Sequence, residues 1–194
     1  MSKIRLGIIG AGNFVYKRHI PEILECKKVK LISLCRRDIN QLKKIGAFSG
    51  ITSLYTNHTE MLKNENLDAV LISSPHSLHA AHAIEALNYG CHVMIEKPIA
   101  TSVKDAKNII KVANRNKLKV MPLYNPPFES HFQEMKRLIK NSNFGKLENA
   151  SISWSDNKSA FFGKSPYPKG YNPIVMPTNF RNSRKLSGGG ILFD

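Results

Sequence analysis

The sequence predicts an α/β fold, in which a parallel sheet covered by helices on both faces is followed by an incomplete α+β domain. Short apolar runs that suit buried strands alternate with helical patterns as far as Pro122. A glycine-rich turn, Gly10-Ala11-Gly12, joins the first apolar run to the first helix. Beyond Pro122 this alternation stops. A strand-and-helix alternation of this kind is typical of a sheet buried on both faces.

The first apolar run, Ile4 to Ile9, predicts a buried strand that leads into the glycine turn. Gly10 permits a tight turn, and Gly12 has no Cβ, so backbone can approach a pyrophosphate there. A helix beginning near Asn13 offers free N–H groups and the positive end of its dipole. Val15 takes the third position of G-x-G-x-x-G/A, and its branched side chain should hold the helix further from the strand. By itself this pattern is compatible with a Rossmann-type dinucleotide site and equally with an ordinary strand-to-helix turn of an α/β domain.

A second predicted strand, Val29 to Leu34, ends at a pair of arginines. Enzymes that use NAD place an acidic residue about 20 residues after the glycines, where it binds the ribose 2′-hydroxyl. Cys35 holds that place here, and Arg36 and Arg37 follow it. A guanidinium group can bind a phosphate through two parallel hydrogen bonds. The sequence therefore favours NADP over NAD, with solvated surface arginines as the alternative, and Asp38 is a candidate helix cap.

The alternation continues up to the end of the predicted sheet. Thr59 is the predicted N-cap of one helix, and Gly90 closes another. The predicted elements are a strand near Ser53–Tyr55, a helix from Thr59, a strand at Leu67–Ser73, a helix at Ser77–Asn88, a strand at Cys91–Ile95, a helix at Val103–Asn116 and a strand at Leu118–Met121.

Three histidines at a spacing of three residues, His76, His79 and His82, invite comparison with a metal site. On a helix, residues three apart are rotated by roughly 300° and residues six apart by roughly 240°. The three rings cannot converge from one helix face, whereas zinc needs three or four converging ligands. We therefore predict no metal site.

After Pro122 the sequence predicts a linker and then part of a second domain. Phe128 to Ile139 has the spacing of an amphipathic helix, which Gly145 is predicted to close. Ala150 to Ser155 alternates as an antiparallel strand would. The predicted domains are residues 1–122, a dinucleotide-binding domain, and residues 123–194, the N-terminal part of a substrate domain.

Composition excludes several classes of protein. The net charge of +15 would suit binding to nucleic acid. The lysines are scattered, however, and no basic helix is interleaved with aromatic residues, so nucleic-acid binding is kept only as the least favoured of the three functions considered. The sequence has no run of apolar residues long enough to predict a membrane span. Cys26, Cys35 and Cys91 are odd in number and widely spaced, which predicts a reducing, cytoplasmic compartment and buried thiols, without disulfides or zinc.

Three segments together resemble the Gfo/Idh/MocA family of NAD(P)-dependent sugar and cyclitol oxidoreductases. They are GIIGAGNFVYKRHIP at residues 7–21, SSPHSLHAAHAIEALNYGCHVMIEKPIA at residues 73–100, and FRNSRKLSGGGILFD at residues 180–194. The second segment resembles the family's strand, S/T-P-x-x-x-H turn, helix and E-K-P block in order and spacing. It is far more specific than the glycines alone.

The resemblance implies a role for each matching residue. Lys97 would be the catalytic lysine that reaches the reacting oxygen of a sugar, nucleotide sugar or cyclitol, and Glu96 would bind the nicotinamide ribose. Asp194, in the G-G-G-x-x-x-D signature, would be the second catalytic residue. The implied cofactor-binding residues are Gly10, Ala11, Gly12, Asn13 and Phe14 at the pyrophosphate, Arg36 and Arg37 at the adenosine ribose, and Ser73, Ser74, Pro75, His79, Glu96 and Lys97 towards the nicotinamide.

The sequence also departs from the family pattern. It stops at Asp194, before the family's proton-accepting His and the rest of the domain that carries the substrate pocket and the oligomer interface. Pro126 and Pro127 stand where the family commonly has an arginine. We therefore expect NADP binding with weak or absent turnover. A non-catalytic nucleotide-binding module that needs a partner half is the alternative.

Overall fold

The fold is a six-stranded sheet in the order β3-β2-β1-β4-β5-β6, with every pair of neighbouring strands parallel. The computed structural model describes residues 2–141, 145–151, 153, 155, 166, 167 and 169–189. The predicted Rossmann-type fold is confirmed, because this order is the one found in dinucleotide-binding domains. The strands are β1 (Ile4–Ile9), β2 (Val29–Cys35), β3 (Ser53–Tyr55), β4 (Ala69–Ile72), β5 (His92–Glu96) and β6 (Val120–Leu123).

Both faces of the sheet are buried, which explains why its central strands are almost wholly apolar. On β1, Leu6 and Ile8 pack into one apolar cluster and Ile9 packs into the other. On β4, Leu71 belongs to the first cluster and Ile72 to the second. Successive side chains of a strand point to opposite faces, so each cluster takes alternate residues. The helices that connect the strands cover both faces of the sheet.

Helices lie between the strands, and a polar cap begins several of them. Asp38 accepts a hydrogen bond from the backbone N–H of Gln41 at 3.1 Å, so the predicted cap is confirmed. The prediction of Thr59 as a cap is wrong, because Asn57 takes that place and accepts from Thr59 N at 2.8 Å. The α-helices are α1 (Ile20–Glu25), α2 (Ile39–Ser49), α3 (His58–Asn64), α4 (His79–Asn88), α5 (Val103–Arg115), α6 (Ser130–Lys140) and α7 (Arg184–Ser187).

The segment after the glycine turn is not a regular helix. A π-helical turn, Val15–His19, precedes α1, and the N–H of Ile20 bonds to the carbonyl of Val15. Pro21 lies in the first turn of α1, where a missing N–H is tolerated best. Val15, in the third position of the glycine motif, is fully buried.

Several predicted boundaries shift in the structure. The helix predicted from Ser77 begins with a 3₁₀ turn, His76–Leu78, before α4. The last strand, β6, lies two residues beyond its predicted position. Helix α6 ends at Lys140, so the prediction that Gly145 closes it is wrong. Residues 150, 151, 153 and 155, the described part of the predicted second-domain strand, are not in a strand.

A return segment, residues 171–187, folds back over the sheet. Val175 is buried in the same apolar cluster as Leu6 and Ile8. The Asn13 side-chain amide donates to Val175 O at 2.6 Å, and His76 Nδ1 lies 2.9 Å from Ser187 O. The return segment is therefore attached to the loops at the carboxyl ends of β1 and β4. The sequence did not predict this.

Two further predictions can be compared with the structure. Within the described residues, no helix is both long and apolar enough to cross a membrane. All three cysteines are free, and Cys35 and Cys91 are buried as expected. Cys26 is exposed, so its predicted burial is wrong.

Candidate functional site

Two neighbouring cavities lie at the carboxyl ends of the strands. Their volumes are about 560 Å³ and about 160 Å³. The strand order reverses between β1 and β4, and open α/β sheets bind ligands in the crevice at such a point. The larger cavity extends towards β2 and β3, and the smaller one towards β5. Both are lined by Gly12, Ser73, Ser74, Thr178 and Phe180.

The glycine turn is packed tightly beneath these cavities. Gly10 has a φ of +91°, and a Cβ on it would lie 2.4 Å from Ser74 N. The N–H groups of Gly10 and Ala11 both donate to Cys35 O, at 2.9 and 3.0 Å. Gly12 has more room around it, since the nearest atom to an added Cβ would be Arg36 Nη1 at 3.6 Å. Gly10 is thus required by the fold, whereas Gly12 leaves a cradle above the turn.

Arg36 reaches back from the end of β2 to the glycine turn. Its Nη1 donates to Ala11 O at 3.0 Å. Burial lowers the pKa of the Arg36 guanidinium, and nearby Asp38 opposes that effect. Arg37 and Asp38 line the larger cavity beside it. Burial, with the charge of Glu60, raises the pKa of the Cys35 thiol to about 12, which keeps it protonated at neutral pH.

The loop after β4 carries the next predicted residues. Ser73 and Ser74 line both cavities, and Pro75 lines the larger one. His79 is buried, with Nε2 2.7 Å from Ser74 O and Nδ1 2.7 Å from Pro98 O. Burial lowers the pKa of His79, while the two carbonyl partners and Glu96 oppose that shift. The ring therefore connects the loop after β4 to the loop after β5.

The E-K-P corner, Glu96-Lys97-Pro98, lies opposite the glycine turn. Glu96 Oε1 is 2.6 Å from His19 Nε2, and Glu96 Oε2 accepts from Lys97 N at 3.2 Å. The Lys97-Pro98 peptide bond is cis. Glu96, Lys97, Gly12 and the two residues after it all line the smaller cavity. The structure thus brings the glycine turn and the E-K-P corner together, with a direct side-chain bond between their segments.

Most predicted site residues are gathered here. Ala11 is buried beneath the turn and lines neither cavity. Asp194 lies outside the described residues. In the described part of the chain, no group of His, Cys, Asp and Glu side chains could hold a metal ion. Predicted residues that line a cavity are Gly10, Gly12, Asn13, Phe14, Arg36, Arg37, Ser73, Ser74, Pro75, His79, Glu96 and Lys97.

A family model described as an oxidoreductase family with an NAD-binding Rossmann fold matches residues 4–124. The chain belongs to the Gfo/Idh/MocA oxidoreductase family. The match covers the whole sheet, the loops after β1 and β4, and the E-K-P corner. The family assignment made from the three sequence segments is therefore confirmed.

Proteins similar to this chain differ in the coenzymes and ligands that their names give. The scyllo-inositol 2-dehydrogenase (NADP(+)) IolU of Bacillus subtilis is 28% identical over 134 residues, covering 69% of this chain and 40% of that protein. The myo-inositol 2-dehydrogenase structure from Lactobacillus plantarum aligns with a TM-score of 0.71 at 28% identity, over 75% of this chain and 43% of that one. The WlbA dehydrogenase of Bordetella pertussis, in complex with NADH and UDP-GlcNAcA, aligns with a TM-score of 0.70 at 29% identity, over 74% and 43%. The aligned part of the chain thus covers less than half of each of these relatives.

Sequence reasoning missed several residues that line the cavities. Thr178 and Phe180 come from the return segment, and Arg181 lines the smaller cavity. Phe180 opens the third segment that resembles the family, so that segment could have pointed to it. His58 and His82 line the larger cavity, and no sequence signal connected them.

Proposed function

We propose that this chain binds a nicotinamide dinucleotide across the two cavities and is the coenzyme-binding part of an oxidoreductase acting on a sugar, nucleotide sugar or cyclitol. The observation that carries the proposal is that Gly12 lines one cavity together with Glu96 and Lys97. His19, on the π-helical turn that follows the glycine turn, is bonded to Glu96. The proposal assigns residues 1–122 to the dinucleotide domain and residues 123–194 to the start of the substrate domain.

The cradle at Gly12 fits a pyrophosphate. A Cβ there would meet nothing nearer than 3.6 Å, so the absent side chain leaves space above the backbone. The backbone N–H groups of Asn13 and Phe14 follow directly, and the tight packing at Gly10 fixes the turn. With the pyrophosphate over Gly12, the nicotinamide half would extend into the smaller cavity and the adenosine half into the larger.

Glu96 and Lys97 would perform the chemistry at the nicotinamide end. The nicotinamide ring supplies hydride transfer when it is bound. Each carboxylate oxygen of Glu96 already takes part in one hydrogen bond and can accept another, from a ribose hydroxyl. Lys97 would donate to the substrate oxygen and stabilise the negative charge that develops on it. The return segment, with Thr178 and Phe180 in the walls, would exclude water from the reacting atoms.

We propose NADP as the preferred coenzyme. Arg36 and Arg37 line the larger cavity where a carboxylate would favour NAD, and the nearby carboxylate of Asp38 is engaged as a helix cap. Titration of NADPH and NADH, followed by coenzyme fluorescence, should give at least tenfold tighter binding of NADPH. Arg37→Ala should weaken NADPH by about 10–100-fold, because a charge-assisted hydrogen bond is lost, and should leave NADH unchanged.

Arg137→Ala is the matched control, since Arg137 pairs with Glu134 on the exposed α6. It should change neither affinity. Equal or tighter binding of NADH by the unaltered chain would contradict the NADP preference, and absence of saturable binding to either coenzyme would contradict the proposed function.

A cofactor-binding module that needs a partner half is the second candidate. It is favoured by the observation that the aligned part of the chain covers only 43% of the inositol dehydrogenase structure it resembles. The two candidates differ in turnover, because a non-catalytic module would bind the coenzyme and show no turnover without its partner half. We expect tight NADPH binding with very slow oxidation of myo-inositol or a nucleotide sugar, because orientation of the substrate needs a complete pocket. Robust steady-state turnover by the purified chain would exclude the module.

A further inference from the structure

Two histidine rings lie together in the wall of the larger cavity. His58 begins α3, His82 lies on α4, and both line that cavity. Their ring centroids are 4.3 Å apart, with the planes tilted by 53°. Neither residue belongs to the glycine turn, the arginine pair or the E-K-P corner.

Glu85 fixes which nitrogen of His58 carries a proton. Burial alone would raise the pKa of Glu85, but hydrogen bonds from Thr59 and His58 outweigh burial, so the pKa is lowered. The carboxylate is therefore ionised at neutral pH and can only accept hydrogen bonds. His58 Nε2, 2.8 Å from Glu85 Oε2, must be the donor. In the neutral ring, Nδ1 of His58 is then an acceptor.

His82 is held as a neutral ring. Burial, followed by the neighbouring His58, His79 and Arg37, lowers its pKa to about 4, against a weaker opposing effect of Glu85. Its Nδ1 lies 2.9 Å from Ser74 Oγ. When the Ser74 hydroxyl donates to Nδ1, Nε2 of His82 carries the proton and is a donor.

The remaining ring nitrogens, His58 Nδ1 and His82 Nε2, have no hydrogen-bond partner among the described residues, and both are accessible. Neither nitrogen is among the buried side-chain polar atoms that lack a partner in that part of the chain, which include Ser33 Oγ and Gln41 Oε1. When the Ser74 hydroxyl is the donor to His82, the two rings in the wall of the larger cavity thus carry one unpartnered hydrogen-bond acceptor and one unpartnered donor.

We propose that His58 and His82 recognise the adenine base of the dinucleotide, with His58 Nδ1 accepting from the N6 amino group and His82 Nε2 donating to N1. This inference rests on the proposed function, which puts the adenosine half in the larger cavity. The arginines at the end of β2 stand at the ribose, so the histidine pair is left for the base. Pro75 and Leu78, in the same cavity wall, give the purine an apolar surface.

Hypoxanthine is the base that this pair should reject. It carries a carbonyl oxygen in place of the N6 amino group and a proton on N1. The carbonyl would face the acceptor His58 Nδ1, and the N1 proton would face the donor His82 Nε2. Two mismatched polar contacts in a partly buried site should weaken binding by about 10–100-fold.

The test compares two ligands that differ only in the base. NADPH and reduced nicotinamide hypoxanthine dinucleotide phosphate are titrated into the purified chain by calorimetry at pH 7.5. We expect NADPH to bind at least tenfold more tightly. His58→Leu should reduce the ratio to about threefold or less, mainly by weakening NADPH. His131→Gln, on the exposed α6, is the control and should leave the ratio unchanged.

Glu85→Gln supplies a second variant that keeps both rings. A neutral amide no longer forces His58 Nε2 to be the donor, so the preference for adenine should fall although the cavity wall is retained. Equal affinity of the unaltered chain for the two dinucleotides would overturn the inference, and so would a ratio that survives in both His58→Leu and Glu85→Gln. Failure of both dinucleotides to bind would instead overturn the proposed function.

Discussion

Gly12→Ala should separate coenzyme binding from folding. A methyl group at this position would have Arg36 Nη1 as its nearest neighbour, at 3.6 Å, which is ordinary van der Waals contact. The backbone of Gly12 has no positive φ. The free energy of unfolding should therefore change by less than about 1 kcal/mol. The methyl group would nevertheless fill the cradle and hold a pyrophosphate away from the N–H groups, and loss of one or two charge-assisted hydrogen bonds should weaken NADPH at least tenfold.

Two other glycines supply matched controls. Gly50 has a φ of +70°, and a Cβ added to it would meet nothing within 4 Å, so Gly50→Ala should cost only the left-handed strain of about 1–2 kcal/mol. Gly10 has the same kind of backbone, and its Cβ would also lie 2.4 Å from Ser74 N. Gly10→Ala should therefore destabilise the fold by about 2–5 kcal/mol, strain and overpacking together.

Urea unfolding and NADPH titration on the three variants test this reasoning. Only Gly12→Ala should lose affinity while it keeps its stability. If Gly12→Ala binds NADPH as tightly as the unaltered chain, no phosphate lies over Gly12 and the assigned orientation of the dinucleotide is wrong.

Three further predictions concern stability and reactivity. Asp38→Ala removes the cap that accepts from Gln41 N and should lower the free energy of unfolding by about 1 kcal/mol in urea; an unchanged midpoint would contradict that role. Between pH 6.5 and about 4 the unfolded chain takes up a proton on His82 before the folded chain does. The free energy of unfolding should therefore decrease as the pH is lowered through this range, by about 1–2 kcal/mol after allowance for solvent screening. The His82→Gln variant should lose less stability over the same range. Of the three cysteines only Cys26 is exposed, so a thiol reagent at pH 8 should label one site in the folded chain and three in urea; rapid labelling of Cys35 would contradict its burial.

The parts of the fold that depend on neighbouring residues were predictable from the sequence. The apolar run of β1, the glycine turn and the Asp38 cap are each specified within a few positions, and all three are in the structure. Local boundaries failed where two polar residues compete, because Asn57 and Thr59 are both good caps and only the backbone conformation decides between them.

The site was predictable only in part, because much of it is made by contacts across the sequence. The bond between His19 and Glu96 spans two segments that meet only when β1 and β5 take their places in the sheet. The pairing of His58 with His82 likewise depends on how α3 and α4 pack. Val175 is buried, but it lies in a stretch rich in Asn and Pro, where the sequence has no periodic apolar pattern from which a buried residue could be predicted.

A calorimetric titration with NADPH and with its two separate halves, 2′,5′-ADP and nicotinamide mononucleotide, tests most directly whether both cavities serve one dinucleotide. We expect a single saturable site for NADPH, tighter than either half, from which 2′,5′-ADP displaces it. Absence of binding heat with NADPH and NADH, or simultaneous binding of NADPH and 2′,5′-ADP without competition, would contradict the account.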